Sequence, residues 1–196
     1  MFKSVITPEM HYDDWAMQYD RDVRGWGYHA PDRVMEQIAP YLRRHPGRAR
    51  ILDVGVGTGL LSRKCRAVRD DIHISGIDIS ARMLELCARK KAADELYRID
   101  VTKERLPFET NHFDVTMAAG LMENIENIGN AIREMVRVTR PGGLMAFTYM
   151  PTTRHPLREK LAKTLRPGRT AEGRFVMGKL NLFRHNPDGI KAIAQE

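Results

Sequence analysis

The sequence predicts an α/β fold, a doubly wound and mostly parallel sheet, on three observations. From about residue 50, short apolar runs alternate with amphipathic segments at helical spacing. The second and third runs end on acids, Asp78 and Asp100. A glycine-rich loop follows the first run and opens a helix.

Each element has its own reason. Five aromatics, Tyr12, Trp15, Tyr19, Trp26 and Tyr28, crowd the N-terminal section. They lead into a helix whose apolar face carries Val34, Ile38 and Leu42, with Pro40 expected to kink it. Arg50–Val54 is short and apolar and breaks at Gly55, a first strand. Leu60–Val68 reads as the helix after that break, and Ile72–Ile77 as a second strand. Ser80 is placed to cap a helix running to about Lys91, with Met83, Leu84 and Cys87 on one face. Leu96–Ile99 is a weak third strand and Phe113–Ala118 a fourth. Ile125, Ile128, Ile132, Met135 and Val136 recur at helical spacing, predicting a long amphipathic helix that stops before Pro141. Pro141-Gly142-Gly143 then turns the chain into a fifth strand, Leu144–Tyr149. A last short helix is expected over Pro187–Gln195.

The 196 residues, 42% hydrophobic and 29% charged, suit one globular domain able to bury a core unaided. Its expected parts are an N-terminal lid and helix (1–48), a cofactor-binding core (49–150) and a basic acceptor-side cap (151–196). No apolar run is long enough to span a membrane, and the N-terminus lacks the apolar stretch of a signal peptide. Cys65 and Cys87 are too few for a disulfide framework and lack metal-ligand spacing, so they read as buried helix positions. A reduced, cytoplasmic protein without a metal site is expected, as monomer or homodimer.

The net charge of +7 is unevenly placed. Residues 1–150 carry 22 Lys+Arg against 21 Asp+Glu, whereas residues 151–196 carry 10 against 4, net +6. Such a segment is either a solvated face or a surface for an anionic partner. With few aromatics interleaved, it makes a poor stacking platform for single-stranded nucleic acid.

The strongest chemical signal is Asp53-Val54-Gly55-Val56-Gly57-Thr58-Gly59. Glycines there let the backbone approach a ligand, and the helix start offers free N–H groups. The spacing is G-x-G-x-G, with Leu60 where the dinucleotide fingerprint of a Rossmann sheet has its third glycine. An acid two residues before the first glycine would repel a pyrophosphate but could organise the loop or pair with a ligand ammonium. The loop thus favours a nucleoside with a cationic amino-acid tail over NAD. Asp78, about 20 residues on, is placed to take two ribose hydroxyls. Asp100, at the next strand end, is placed to accept from an adenine amino group.

These motifs, in this order and spacing, resemble those of the class I S-adenosylmethionine-dependent methyltransferases. Leu106-Pro107-Phe108 before Phe113-Asp114-Val115, and Pro141-Gly142-Gly143 before the fifth strand, extend the likeness over roughly residues 12–150. Tyr12-Asp13-Asp14-Trp15-Ala16 followed by Tyr19-Asp20 resembles the N-terminal lid of the small-molecule methyltransferases. The resemblance implies a Rossmann-like fold and S-adenosylmethionine as cofactor, with S-adenosylhomocysteine as product. It implies a cofactor site of Tyr19, Asp53, Gly55, Gly57, Thr58, Gly59, Asp78, Ile79, Met83, Asp100, Val101 and Ala119. The implied activity is methyl transfer to a small acceptor, which the basic end would make anionic.

Two departures from the family bear on that expectation. After the fourth strand stands Ala119-Gly120-Leu121-Met122-Glu123-Asn124, with neither the N-P-P-Y-like tetrad of nucleic-acid and glutamine enzymes nor a histidine base. Glu123 is the acid available there for proton transfer, or a helix-start carboxylate. His155, just beyond the fifth strand, is the other catalytic candidate, or a surface residue. The second departure is that the family's final antiparallel hairpin is expected to be missing, which would leave a sheet edge to be covered. The rival readings are a nucleic-acid methyltransferase using the basic segment and a non-catalytic cofactor-binding module.

Overall fold

A computed structural model describes residues 6–149, and the backbone of 175–177 and 180–182. Helix α1 (Pro8–Gly25) starts at Thr7, whose side chain accepts from the Met10 amide, and α2 (Ala30–Arg44) follows. Pro40 lies inside α2, which runs on without interruption to Arg44. Then come β1 (Ala49–Val54), α3 (Leu60–Val68), β2 (Ile72–Asp78), α4 (Ala81–Arg89), β3 (Glu95–Arg98) and β4 (Phe113–Ala118). Ser80 caps α4 as expected, its hydroxyl accepting from the Met83 amide.

The five-stranded sheet has the order β3-β2-β1-β4-β5 and every pairing in it is parallel. It is the Rossmann-like α/β fold predicted. The order reverses beside β1, and ligands of such sheets bind at the strand carboxyl ends next to that point. Both faces are covered, as parallel strands require. On one, Ile51, Ile74, Val115 and Met117 pack with Ile38 and Leu42 of α2 and Leu61 of α3. On the other, Leu52, Val54 and Ile77 pack with Ile132 and Met135.

Two boundaries differ from expectation. The helix expected from Ile125 begins only at Gly129, as α5 (Gly129–Val138), and a separate 3-10 turn (Met122–Asn124) precedes Ile125. The Asn127 side chain accepts from the Gly129 amide at 3.0 Å, a local bond that competes with helix at that point. Ile125 and Ile128 are buried all the same, so their periodicity reported burial rather than helix. Strand β5 spans Thr139–Phe147 and includes Pro141-Gly142-Gly143. The pairing jumps from Phe113↔Thr139 to Val115↔Leu144, so the three extra residues are a bulge within the strand.

Two further strands, β6 (Phe175–Met177) and β7 (Leu180–Leu182), pair antiparallel as a separate ribbon that does not join the sheet. A short hairpin therefore exists where none was expected, but the five-stranded sheet does not contain it. The predicted helix over 187–195 and most of the basic segment lie outside the described residues. Among the described residues no helix is long and apolar enough to cross a membrane.

Candidate cofactor and acceptor site

A cavity of about 580 Å³ opens at the carboxyl ends of the strands, where the topology places it. Its floor is the loop after β1. The amides of Gly55 and Val56 both donate to the Ile77 carbonyl, at 2.8 and 2.9 Å, which ties the loop to the end of β2. Gly57 has φ +54, and a Cβ there would meet nothing within 4 Å. It therefore leaves bare backbone facing the cavity.

Asp78 lines the cavity and is held by two amides, Gly57 N–H at 2.8 Å and Ser80 N–H at 2.9 Å. Burial pushes its carboxyl above the usual range against those bonds. A carboxylate has about four lone-pair sites, so these backbone bonds leave acceptor capacity toward the cavity. Asp100 lines the same cavity. Burial raises its pKa, but bonds from the Thr102 hydroxyl and amide and from Lys103 outweigh that and hold it below the ordinary value. Tyr19, Gly55, Ile79, Met83, Val101 and Ala119 complete the expected residues in the wall.

The other three expected residues stand apart from this wall. Asp53 and Thr58 line a small adjoining space of about 30 Å³. Asp53 is buried and accepts from the Ser62 hydroxyl at 2.6 Å. Burial raises its pKa to about 7. It organises the start of α3, one of the two roles open to it from the sequence. Gly59 borders neither space; it has φ +86 and packs against Ala92 and Cys87. Its glycine is required by backbone and packing.

Helix α1 crosses the cavity through one stripe of carboxylates. Glu9 pairs with Arg98, Asp13 accepts from the Ser80 hydroxyl at 2.5 Å and the Arg82 amide at 3.2 Å, and Asp20 binds the Thr58 hydroxyl and Lys90. Tyr12 and Tyr19, on the same helix, face the cavity. Trp15 packs edge-on to Tyr19 and tilted against Trp26, and its indole N–H donates to Asp22 at 2.9 Å. The sequence did not single out this carboxylate stripe, although its spacing is helical.

The two catalytic candidates part company. Glu123, on the 3-10 turn after β4, sits beside the wall, with its Oε2 buried and without a hydrogen-bond partner among the described residues. Burial raises its pKa. His155 lies outside the described residues. Among the described residues no group of three or more His, Cys, Asp or Glu could hold a metal ion.

Fold and site define an α/β protein with a cavity for a small molecule at the carboxyl ends of its parallel strands. Residues 52–147 match the pattern of a family described as a methyltransferase domain. The chain is 35% identical over 144 residues to methyltransferase-like protein 27 of Homo sapiens, covering 73% of this chain and 58% of that one. It is 33% identical over 159 residues to the malonyl-[acyl-carrier protein] O-methyltransferase of Erwinia pyrifoliae, covering 80% and 58%. A solved complex titled DhpI-SAM-HEP superposes with a TM-score of 0.63 at 18% identity, over 98% of this chain and 88% of that one, a likeness of fold. The chain belongs to the class I S-adenosylmethionine-dependent methyltransferase superfamily. It spans less than two thirds of the length of these two curated relatives, 58% of each.

Proposed function

We propose that the protein transfers a methyl group from S-adenosylmethionine to a small-molecule acceptor. The observation that carries this is the cavity at the strand ends, with bare Gly57 backbone and two strand-end carboxylates in one wall. The residues present fit the cofactor. Its volume of about 580 Å³ lies within the 300–1,000 Å³ common to small-ligand sites. Asp78 would hold the ribose hydroxyls, Asp100 the adenine amino group, and the loop from Gly55 to Gly57 the amino-acid tail.

When bound, the cofactor supplies a methyl carbon already activated by a sulfonium. The protein's task is then alignment and exclusion of water, and alignment can contribute at most about 7–11 kcal/mol. Tyr12 and Tyr19 would close the cavity from above, which gives α1 the role of a lid. The acceptor would enter past Gly120, Leu121 and Asn124, which line the side of the cavity beyond β4. The O-methyltransferase relative acts on a malonyl group carried by a protein, so kinship alone does not choose the acceptor. The case for an anionic acceptor rests on the basic segment, most of which lies outside the described residues.

The test is calorimetric titration with S-adenosylmethionine, S-adenosylhomocysteine and NADH, followed by transfer of labelled methyl to an acceptor panel. Micromolar binding of the first two and none of NADH is expected. Binding of NADH at micromolar concentration would overturn the reading. Cofactor binding without turnover on any acceptor would favour a non-catalytic module.

A further inference from the structure

Helix α1 forms one wall of the cavity, to which Thr7, Pro8, Glu9, Tyr12 and Tyr19 contribute. It is held there with little apolar anchorage. Along its 18 residues only Ala16 and Val23 are buried, whereas the shorter α2 buries Pro31, Val34, Met35, Ile38 and Leu42. The hold on α1 is polar and reaches three places in turn. Glu9 pairs with Arg98, the last residue of β3. Asp13 accepts from the Ser80 hydroxyl at 2.5 Å and the Arg82 amide at 3.2 Å, where α4 starts after β2. Asp20 binds the Thr58 hydroxyl, in the loop after β1, and Lys90. The helix thus runs across the ends of β3, β2 and β1 in that order.

Each of these points adjoins a residue assigned to the cofactor. Arg98 stands two residues before Asp100, and Thr58 directly follows Gly57. Ser80 donates its hydroxyl to Asp13 and its amide to Asp78. Lys90, by contrast, caps the far end of α4 and lines neither the cavity nor the small space beside it. Part-exposed polar contacts open at small cost, because water replaces them, while a packed apolar face does not. Only residues 26–29 separate α1 from α2, which stays packed on the sheet through Val34, Met35, Ile38 and Leu42.

We propose that α1 is a gate latched by Glu9, Asp13 and Asp20, and that the cofactor enters and leaves when this latch opens. The inference rests on the cofactor reading of the cavity and names what regulates access to it. Closed, the latch keeps Tyr12 and Tyr19 in the cavity wall. Open, it frees the chain after three strands at once, beside each cofactor group. Two of the three latch points contain an ion pair between part-exposed side chains, so salt weakens them and favours opening. Release of S-adenosylhomocysteine then waits on α1, as product release waits on lid opening in many enzymes.

The experiment uses the full chain, whose two tryptophans both report on α1. Trp15 packs on Tyr19 with ring centroids 4.8 Å apart, and Trp26 caps the helix. Wild type, Lys90→Gln and Asp13→Ala are mixed with S-adenosylhomocysteine in stopped flow at low and high salt, and Kd is measured by calorimetry. A gate raises association and dissociation rates together, so Kd should move by less than about twofold. The rise expected is about two- to fivefold for Lys90→Gln and about tenfold for Asp13→Ala. Salt should speed both rates in the wild type, although the ligand has no net charge, and should speed them less in Lys90→Gln. Acrylamide quenching of the ligand-free proteins reads opening directly and should increase in both variants. Unchanged rates, unchanged quenching, or a wild type indifferent to salt would overturn the latch. So would faster dissociation alone with a proportionate loss of affinity, because the contacts would then support the bound site without gating it. A wild type that does not bind S-adenosylhomocysteine would instead overturn the methyl-transfer reading, whatever the quenching shows.

Discussion

At the scale of single residues, two carboxylates at the strand ends differ in what they face. Asp78 faces the cavity while its oxygens hold the amides of Gly57 and Ser80, so it fixes the loop and still borders open space. Asp78→Ala should weaken S-adenosylmethionine binding by roughly 2–4 kcal/mol, since charge-assisted bonds to two hydroxyls are lost. Titration calorimetry reads this directly, and an unchanged dissociation constant would remove the ribose assignment. Asp53 faces inward to Ser62, and burial lifts its pKa from 3.8 to about 7. Between those values the folded state keeps a proton that the unfolded state has lost. Asp53's contribution to stability is therefore complete below about 3.8 and is lost as pH rises through about 7. The span corresponds to ~4 kcal/mol at 1.36 kcal/mol per unit. Asp53→Asn keeps an oxygen for Ser62 and has no proton to lose, so its advantage over wild type should grow by that order between pH 4 and pH 8. Urea unfolding across this range checks it; parallel stability curves for the two proteins would exclude it.

At the scale of elements, the glycine loop and α1 are held by different means. The loop needs Gly59 for packing: a Cβ there would come within 2.3 Å of the Ala92 Cβ at φ +86. Gly59→Ala should cost about 2–4 kcal/mol, summing left-handed backbone strain and overpacking. A thermal midpoint within a degree of wild type would contradict this. Helix α1 is held through polar contacts from one stripe, among them Asp13 on Ser80 and Arg82. Asp13→Ala should loosen that hold by about 1–2 kcal/mol. Amides of α1 should then exchange roughly tenfold faster while those of β1 and β4 are unaffected. Uniform acceleration throughout would mean that α1 has no separate opening.

At the scale of the whole molecule, the last quarter carries the charge imbalance, with a net +6 over residues 151–196. The ribbon of β6 and β7 pairs with itself and leaves the edge of β5 without a sheet partner among the described residues. If the segment is an acceptor-side cap, a protein ending at Pro151 should bind S-adenosylhomocysteine normally and lose methyl transfer. If it only shields the edge of β5, the shortened protein should dimerise or aggregate. The cap is the expected outcome, and a soluble monomer with full turnover would rule it out.

The sequence alone determined the order of elements from α2 to β5 and most of the residues that line the strand-end cavity, because both are written locally. Ile72–Asp78 places isoleucines at 72, 74 and 77 before its terminal acid, and Ser80 signals a helix start two residues on. Where local pattern was ambiguous it misled: Ile125 and Ile128 keep helical spacing yet belong to a loop, because burial alone does not specify helix. The proline-glycine-glycine turn became a bulge because β4 supplies a partner on both sides of it. Only the tertiary structure decided which carboxylates face the cavity. Asp53 is the penultimate residue of β1 and Asp78 the last of β2, but their surroundings differ, Ser62 for one and open space for the other. It also decided that Asp13 meets Ser80, that Asp20 meets Thr58, and that Glu123 keeps a buried oxygen without a hydrogen-bond partner among the described residues. Those contacts join residues far apart in the chain, and the free energy of a buried charge is set by what surrounds it in space rather than by its neighbours in sequence.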